Sequence, residues 1–402
     1  MRDPKTKPPF MSDESDITRA FNPNRLRLAR ERSGLTKEAF AQLCGVTRRA
    51  VSDWEAGRVE NPPVSRISRE LAFPSSFFYG EDIEEVPKDA VSFRALTSMS
   101  QRQLRRVLAN ASIIRAFSEW IDDRYTTPVP DVPSIEELCP SSIDSEPAPV
   151  EAAESLRTMW ALGVRPIRDM LTLLESKGIR VFGIASEDRE VDAFSFWRDD
   201  RPYILLNPSK SSERLRFDLA HELGHLCMHR GVRTNRERKF ELHANLFASA
   251  FLIPQAGVLP QVSGTVKLSD IFVLKRYWRV SAMAMVKRLH QVGRISDWQQ
   301  RRWMIDLTER GFRKSEPDGI SHEQSSLLKQ IMSLAREDGW STARLSRDLG
   351  IPAADLTSAL MGLTVTSVYG DREPHFSPEV GPPQLQVIAG GLTESPSQEP
   401  MF

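Results

Sequence analysis

The pentapeptide HELGH at 221–225 constrains the fold of this chain more than any other feature of its sequence. The surrounding segment, RLRFDLAHELGHLCMH, has a helical pattern because leucines recur every four residues, at Leu215, Leu219 and Leu223. Two histidines four residues apart project from one face of a helix and can bind one metal ion, and neutral imidazole suits Zn²⁺. Glu222 lies just off that line, where it can take a proton from a water molecule without being a metal ligand.

A catalytic tetrahedral zinc site needs three protein ligands and one open position. His221 and His225 supply two, and the segment ELHANLFASAFLIP offers a second helix that begins at Glu241. The intervening chain is long enough for the first helix to end and turn back, so we predict Glu241 as the third ligand. Asn245, one turn later, could hold a ligand's second atom in place. Metzincins carry a third histidine where this chain has Gly231, which excludes that class.

His229 follows His225 by four residues and could face the same side of the helix. We interpret it either as a further ligand or as a buried histidine that supports a ligand from behind. A bare HExxH sequence also occurs by chance on amphipathic helices of proteins that bind no metal. Because the whole chain has only seven histidines, a chance match followed by a suitably placed acidic helix is a poor explanation.

Three short apolar segments before the HELGH helix have the composition of β-strands: 179–184, 193–197 and 203–206. A charged turn at 198–201 separates the last two, so we predict a small antiparallel sheet. The edge of such a sheet could pair with an extended peptide substrate. From 212 to 312 the pattern is mostly helical. We therefore expect a mainly α fold with a small β-sheet, in the α+β class.

A second constellation lies near the N-terminus, in FNPNRLRLARERSGLTKEAFAQLCGVTRRAVSDWEAG at 21–57. Thr36 and Thr47 are each placed to cap the N-terminus of a helix, and Gly45 can form the tight turn between the two helices. Small and branched apolar residues would let the helices cross closely. The segment thus predicts a helix-turn-helix.

The second helix of this motif would present basic and small hydroxyl side chains outward: Thr47, Arg48, Arg49 and Ser52. Arginine can bond guanine through two hydrogen bonds or hold phosphates, and small hydroxyl groups allow close approach to the groove. We predict that these residues, with Thr36 from the first helix, contact a double-stranded DNA operator. Trp54 is expected in the core. The alternative interpretation is a small helical bundle that binds protein.

Composition and helical patterning divide the chain into six parts. We expect disorder at 1–20 and in the Pro/Gly/Ser-rich tail 366–402. The remaining parts are a DNA-binding domain at 21–80, a helical linker at 81–150, the HExxH domain at 151–317 and a C-terminal helical unit at 322–365. That last unit has the pattern helix, glycine turn, helix, which fits either a plain helical hairpin or a second helix-turn-helix-like element.

Three cysteines, none in a CxxC pair, indicate a reducing compartment rather than a disulfide framework. The N-terminus lacks the apolar core of a signal peptide. The sequence also has no run of about 18 apolar residues, the length that a membrane-spanning helix needs. We expect a cytoplasmic, nucleoid-associated protein without membrane contact. Residues 19–72 hold eleven Lys and Arg against six Asp and Glu, and 275–314 hold eleven against three. Such segments fit local contact with a polyanion or, for the second one, a solvated basic face.

The stretches RFDLAHELGHLCMH and ELHANLFASAFLIP resemble the ImmA/IrrE family of metallopeptidases, and the similarity extends from about 151 to 317. That family's pattern is a HELGH helix followed by a Glu-x-x-Ala-Asn-x-Phe-Ala helix that ends at proline. The resemblance implies a zincin-like domain in which Zn²⁺ is held by His221, His225 and Glu241, with Glu222 as general base. One departure is His243, which stands where such helices commonly have a second Glu. His243 is therefore the alternative third ligand.

Residues 21–57 resemble the XRE-type, lambda-repressor-like helix-turn-helix family, with the ending Trp-Glu-x-Gly at Gly57 as a specific feature. The part after Gly57 is short, which suggests that the domain depends on its neighbour for stability. The resemblance implies operator binding. We also expect a homodimer, because one such module buries little DNA surface and paired half-sites raise affinity.

Three functions stay open from the sequence. The main hypothesis is a DNA-binding regulator with zinc-dependent endopeptidase activity. By resemblance to the family it would cleave a repressor, itself a helix-turn-helix protein, and induce a stress or mobile-element response. The second is a transcriptional regulator whose metallopeptidase-like domain is a non-catalytic sensor or dimerisation module, against which the retained Glu222 argues. The third is an antitoxin-like autorepressor, for which the sequence has no specific feature.

Overall fold

The computed structural model describes residues 20–88, 99–140, 148–184, 191–230, 237–313 and 316–360. The two segments predicted to be disordered, 1–20 and 366–402, lie outside this part of the chain apart from Ala20. The last residues of the predicted C-terminal unit, 361–365, lie outside it as well.

The structure runs from N-terminal helices through a small sheet to a longer series of helices. The first part comprises α1 (Pro23–Arg32), α2 (Lys37–Leu43), α3 (Arg48–Glu55), α4 (Val64–Leu71), a 3-10 helix (Ser75–Tyr79), α5 (Gln101–Asp122), α6 (Ile135–Leu138), α7 (Pro149–Met159) and α8 (Met170–Ser176). The strands are β1 (Arg180–Gly183), β2 (Ala193–Arg198) and β3 (Arg201–Leu206). The last part comprises α9 (Ser212–Met228), α10 (Glu237–Leu252), α11 (Gln255–Val258), a 3-10 helix (Leu259–Gln261), α12 (Leu268–Trp278), α13 (Ala282–Gln291), α14 (Asp297–Glu309), α15 (Ser326–Glu337), α16 (Thr342–Leu349) and α17 (Ala353–Leu360).

The fold is mainly helical with one three-stranded sheet in the described residues, as predicted. The strand order is β1-β3-β2; β2 and β3 are antiparallel, but β1 pairs parallel with β3. The predicted all-antiparallel sheet was therefore wrong for β1. A two-residue turn at Asp199, where φ is 52°, reverses the chain between β2 and β3. The longer connection after β1 lets that strand lie on the far side of β3, and strand patterning alone does not specify which neighbour a strand pairs with.

The sheet separates two hydrophobic cores. Val181, Ile204 and Leu206 point into one, which is built mainly from the helices of the HExxH region. Their neighbours along the strands point into the other: Phe182, Tyr203 and Leu205. Because both faces are covered, the strands have nearly continuous apolar runs rather than alternation with polar residues. This explains why the segments looked like buried strands in the sequence.

Helix α5 belongs to the second core, although it lies in the region predicted as a linker. It packs against α1, and its Phe117 ring lies 6.0 Å from that of Phe182 in β1. Arg102 donates a hydrogen bond to the carbonyl of Gly34, and Arg180 of β1 pairs with Asp122. The short N-terminal domain thus packs against its neighbour, and its dependence on that neighbour for stability stays a prediction. A segment with so many apolar positions is better described as core than as a connector.

The C-terminal helices α15–α17 attach to the same core. Asp355 pairs with Arg32 of α1. A Cβ added at Gly350, whose φ is 67°, would lie 3.1 Å from the Cα of Phe77. Helix α17 buries Leu356 and contacts β1 and α5. It carries no Lys or Arg and is turned toward the core, and the choice between a plain helical hairpin and a second helix-turn-helix-like element stays a prediction.

No single helix in the described part of the chain is long and apolar enough to cross a membrane. One bent pair, Arg238–Leu252 with Gln255–Gln261, meets the criteria of length and composition when its members are taken together.

Candidate metal centre and DNA-binding surface

Helix α9 carries the HELGH sequence through the centre of the HExxH region. Ser211 caps its N-terminus by accepting a hydrogen bond from the amide of Arg214 at 3.4 Å. Its leucines bury one face, and α10 packs closely across it. Gly224 permits this approach, because a Cβ at that position would lie 3.0 Å from the ring of Phe247 in α10. The glycine of the motif thus brings the second helix to the histidines.

The structure brings together the three residues predicted as ligands. The Nε2 atoms of His221 and His225 are 3.1 Å apart. The Glu241 carboxylate reaches both, with 3.5 Å from Oε2 to His221 Nε2 and 3.3 Å from Oε1 to His225 Nε2. One ligand atom from each of the three residues lies within 4.8 Å of the others. The cluster joins α9 to the following helix, as the sequence predicted.

These separations fit a tetrahedral zinc site. Zinc bonds of about 2.0–2.2 Å at tetrahedral angles place two ligand atoms roughly 3.3 Å apart. The Nε2 atoms of His221 and His225 are separated by a similar distance, 3.1 Å, and each has one oxygen of the Glu241 carboxylate nearby, Oε2 at 3.5 Å from His221 and Oε1 at 3.3 Å from His225. The donor set of two imidazoles and one carboxylate is also typical of catalytic zinc. The residues present therefore fit the ion that the sequence implies.

The electrostatics of Glu241 suit a ligand that must be ionised. Burial acts to raise the pKa of its carboxyl, but hydrogen bonds with His221 and His225 outweigh this and lower the pKa to about 2. A carboxylate must be deprotonated to bind a cation, and this group is deprotonated throughout the physiological range. No proton would have to leave Glu241 when a metal binds.

His243, the alternative third ligand, is not part of this cluster. Two residues correspond to about 200° around a helix, so His243 cannot share the face of α10 from which Glu241 projects. Its ring lies 6.1 Å from that of His229 and is nearly parallel to it. In the described structure, the third position of the cluster is occupied by Glu241 alone.

His229 lies behind the cluster, as one of its two interpretations predicted. Its Nδ1 is 2.9 Å from Nδ1 of His225. If His225 binds a metal through Nε2, its Nδ1–H donates to His229, which must then be neutral to accept. Burial, followed by the nearby His225, lowers the pKa of His229 to about 2, so it is neutral at physiological pH.

Replacing His229 with alanine will weaken zinc binding by about 10- to 100-fold, because the tautomer and orientation of His225 lose their support. The affinity is measured by competition with a chromogenic chelator at fixed pH. His290→Ala is the matched control. That histidine is half-buried, lies on α13 rather than on α9 or α10, and pairs with Asp297. Equal zinc affinities for the two variants would contradict the supporting role of His229.

Asn245 makes a different hydrogen bond from the one expected. Its side-chain amide donates to the backbone carbonyl of Glu241 at 2.7 Å. The two residues are one helical turn apart, where a short amide side chain can reach the backbone of its own helix. Asn245 therefore fixes the helix that carries the ligand rather than the ligand's second oxygen.

Glu222 has a partner that the sequence analysis missed. The hydroxyl of Ser195 in β2 donates a hydrogen bond to its Oε2 at 2.6 Å, and both residues are buried. The sequence signal was a polar residue at an inward position of the otherwise apolar strand AFSFW. Its partner could not be found from the sequence, because the two residues are distant along the chain.

The helix-turn-helix forms as predicted. Thr36 accepts a hydrogen bond from the amide of Ala39 at 3.1 Å, and Thr47 accepts one from Ala50 at 3.2 Å. Gly45 adopts φ 56° between α2 and α3. These caps and the left-handed glycine set where each helix begins and ends.

The outer face of α3 carries the predicted DNA-contacting residues. Thr47, Arg48 and Arg49 are exposed, Ser52 is half-buried, and Thr36 is exposed at the start of α2. The Arg49 side chain is 92% exposed, and its pairing with Asp53 is long, at 4.0 Å. Trp54 is buried, as expected. This face can therefore approach a polyanion without breaking the domain's core.

A buried ion pair that the sequence analysis missed holds α3 in place. Arg30 of α1 donates from Nε to Glu55 at 2.5 Å and from Nη1 to the carbonyl of Leu35 at 2.7 Å. Glu55 is the acid of the Trp-Glu-x-Gly ending. This acid thus has a structural role, because it ties α3 to α1.

Comparison with family models agrees with this arrangement. Residues 174–290 match the model described as the IrrE N-terminal-like domain, and residues 24–71 match a model described as a helix-turn-helix domain. None of the curated proteins compared with the chain matches it. The chain thus combines an N-terminal helix-turn-helix domain with a domain of the ImmA/IrrE metallopeptidase type. The three clustered residues lie within the match at 174–290.

Proposed function

We propose that this protein is a DNA-binding regulator with zinc-dependent endopeptidase activity. The observation that carries the proposal is the cluster of His221 and His225 on α9 with Glu241 on α10, next to Glu222 of α9. A purely structural zinc site has no use for a carboxylate that can act as a base. The helix-turn-helix domain supports DNA binding by the same chain.

His221, His225 and Glu241 would hold the ion and leave one tetrahedral position open. When bound there, Zn²⁺ lowers the pKa of water to about 7 and polarises a peptide carbonyl. Glu222 follows the ligand His221 in α9 and is not part of the cluster. It would take the proton of the attacking water and deliver it to the leaving amine. Burial of Glu222 limits competing contact with bulk water.

A peptide substrate would bind beside β2. In the described part of the chain, β2 is one of the two edge strands of the sheet, with β3 as its neighbour. The amide of Asn207 donates to the carbonyl of Asp192, so these two residues form a hydrogen-bonded pair. In an antiparallel ladder such pairs alternate with pairs that are not hydrogen-bonded to each other, and Ala193 and Trp197 belong to the second kind. Main-chain groups of Ala193 and Trp197 consequently point to the outer edge. An extended peptide can pair with such groups, which gives affinity with little side-chain preference.

The substrate we propose is a DNA-bound repressor, itself a helix-turn-helix protein, whose cleavage induces a stress or mobile-element response. The fused DNA-binding domain supports this choice, since binding at the same operator raises the effective concentration of peptidase near its substrate. The protein would then act in the cytoplasm, on the nucleoid. A homodimer would place two such domains on paired half-sites.

The DNA-binding part of the proposal gives its own prediction. Replacing Arg48 and Arg49 together with alanine will weaken binding to a selected duplex by about 1–3 kcal/mol for each arginine that reads a base. The change in affinity is measured by fluorescence anisotropy at several salt concentrations, since removal of phosphate-binding side chains also reduces the salt dependence. Arg347→Ala, an exposed arginine of α16, is the control and should leave affinity unchanged. If only the control weakens binding, the C-terminal hairpin is the DNA-binding element.

A second candidate function has one observation in its favour. His221, His225 and Glu222 are at most 5% exposed and the Glu241 side chain is 19% exposed, so most of the site is buried. A regulator whose metallopeptidase-like domain acts as a sensor or dimerisation module, without turnover, would have such a site. The presence of Glu222 and its hydrogen bond to Ser195 favours the peptidase.

The two candidates are separated by comparing cells that carry the wild type with cells that carry Glu222→Ala. New protein N-termini are mapped by mass spectrometry under DNA damage and under starvation. We expect a fragment of a DNA-bound protein that appears only with the wild type, which would identify the substrate and the cut. No difference, with both proteins folded and the same operator occupied, would support the non-catalytic regulator instead.

A further inference from the structure

The hydrogen bond between Ser195 and Glu222 has the features of a strong interaction. Its O–H···O distance is 2.6 Å, and Ser195 and Glu222 are 3% and 4% exposed. Distances of about 2.5–2.7 Å are typical of a hydroxyl that donates to an ionised carboxylate. Exclusion of water strengthens such a bond, because the local dielectric is low.

Ser195 is itself fixed against the helix by a second contact. Trp197, two residues further along β2, donates from Nε1 to the carbonyl of Leu226 at 3.1 Å. Two strand residues advance about 6.6 Å, and the four helix residues from 222 to 226 advance about 6 Å. The spacing of alternate residues along β2 therefore matches the rise of one turn of α9, and one strand residue contacts each helical turn. The guanidinium of Arg230, 3.9 Å from the Trp197 ring centre, packs over this second contact.

We propose that Ser195 is a positioning residue for the general base Glu222. This inference rests on the proposed peptidase function. The last side-chain torsion of a glutamate is broad, so an unheld carboxylate samples many orientations. A bond to Oε2 restricts that torsion, while a carboxylate with about four acceptor sites keeps capacity for a water molecule. Ser195 thus increases the fraction of time for which Glu222 is oriented toward its proton.

The alternative is that Ser195 only fills space between β2 and α9. Ser118 provides a matched comparison, because its side chain is fully buried on the other side of the sheet, where it lies 3.4 Å from the hydroxyl of Tyr203. Serine to alanine at either position removes one buried oxygen. A space-filling role predicts the same small effects for both variants, whereas a positioning role predicts a catalytic effect at Ser195 only.

The kinetic test uses the zinc-loaded protein and a quenched-fluorescent peptide that spans the cleavage site mapped in cells. Ser195→Ala should lower kcat by about 10- to 100-fold, with KM and zinc content unchanged, because misplaced catalytic groups cost rate rather than binding. Ser195→Thr, which keeps the hydroxyl, should restore most of kcat, and Ser118→Ala should leave it unchanged. Wild-type kcat in Ser195→Ala, or an equal reduction in Ser118→Ala, would overturn the positioning role.

A second measurement does not depend on cleavage. Melting temperatures of the apoprotein are compared for Ser195→Ala, Glu222→Ala and the double variant. A direct hydrogen bond predicts clearly non-additive shifts, since each single variant already perturbs it. Additive shifts would overturn the inference. If the shifts are coupled but the wild type cleaves no protein in cells, the hydrogen bond stands, while the proposed peptidase function fails and with it the positioning role of Ser195.

Discussion

Replacing Glu222 with glutamine will reduce peptide cleavage by the purified zinc protein by at least about a hundredfold, within the range expected for removal of a general base. Glutamine keeps the shape of the side chain and can still bond to the Ser195 hydroxyl, so the fold around β2 should be preserved. It cannot accept a proton from the attacking water. The reduction should therefore appear in kcat, measured with the peptide that spans the mapped cleavage site.

Zinc content distinguishes this effect from damage to the site. Glu222 is not one of the clustered residues, so metal analysis of Glu222→Gln should match that of the wild type. Glu309→Gln, an exposed acid at the end of α14, controls for the removal of one negative charge. Activity that survives in Glu222→Gln would mean that a different group moves the proton, and a reduced zinc content would mean that Glu222 has a structural role instead.

The parts of this site that the sequence predicted are local in the chain or tied to a helical period. His221 and His225 share a helix, and a spacing of four residues places them together whatever the rest of the fold does. The same holds for Thr36 and Thr47, since a capping residue acts on amides three residues away. Glu241 was predicted because a second helix with a recognisable pattern follows the first.

The parts that the sequence did not predict depend on contacts between distant segments. Ser195 meets Glu222 only because β2 lies along α9, and Arg30 meets Glu55 only because α1 crosses α3. The parallel pairing of β1 is of the same kind, since neither strand contains a signal for its partner. A residue's own type and period indicate that it is buried or polar, but not which distant group it will meet.

The C-terminal region illustrates this limit on a larger scale. The carboxylate of Glu323 pairs with Arg216 of α9 and accepts a hydrogen bond from the amide of Met170 at 2.9 Å. Burial raises the pKa of Glu323, and Arg216 opposes that rise. Glu175 likewise accepts the amide of Leu327 at 3.0 Å, at the start of α15. These hydrogen bonds attach a segment that sequence patterning treated as a separate unit.

The choice of third ligand gives the second large prediction. Glu241→Ala will lower zinc affinity by more than the roughly 10- to 100-fold expected when a supporting side chain is removed, because a direct ligand is removed. His243→Ala, two residues away on the same helix, will keep zinc affinity within a few-fold of wild type. Both variants remove a side chain from α10, so the pair controls for general effects on that helix. The measurement is competition with a chelator, followed by metal analysis of the purified proteins.

The geometry explains why the two variants should differ. The carboxylate oxygens of Glu241 lie 3.3 and 3.5 Å from the two histidine nitrogens, whereas the His243 ring packs beside His229, behind the cluster. For His243 to bind the ion instead, α10 would have to rotate by about half a turn. That rotation would remove Phe247 from its position against Gly224, where the two helices are closest. Zinc retained in Glu241→Ala and released in His243→Ala would show that this rotation occurs when the metal binds.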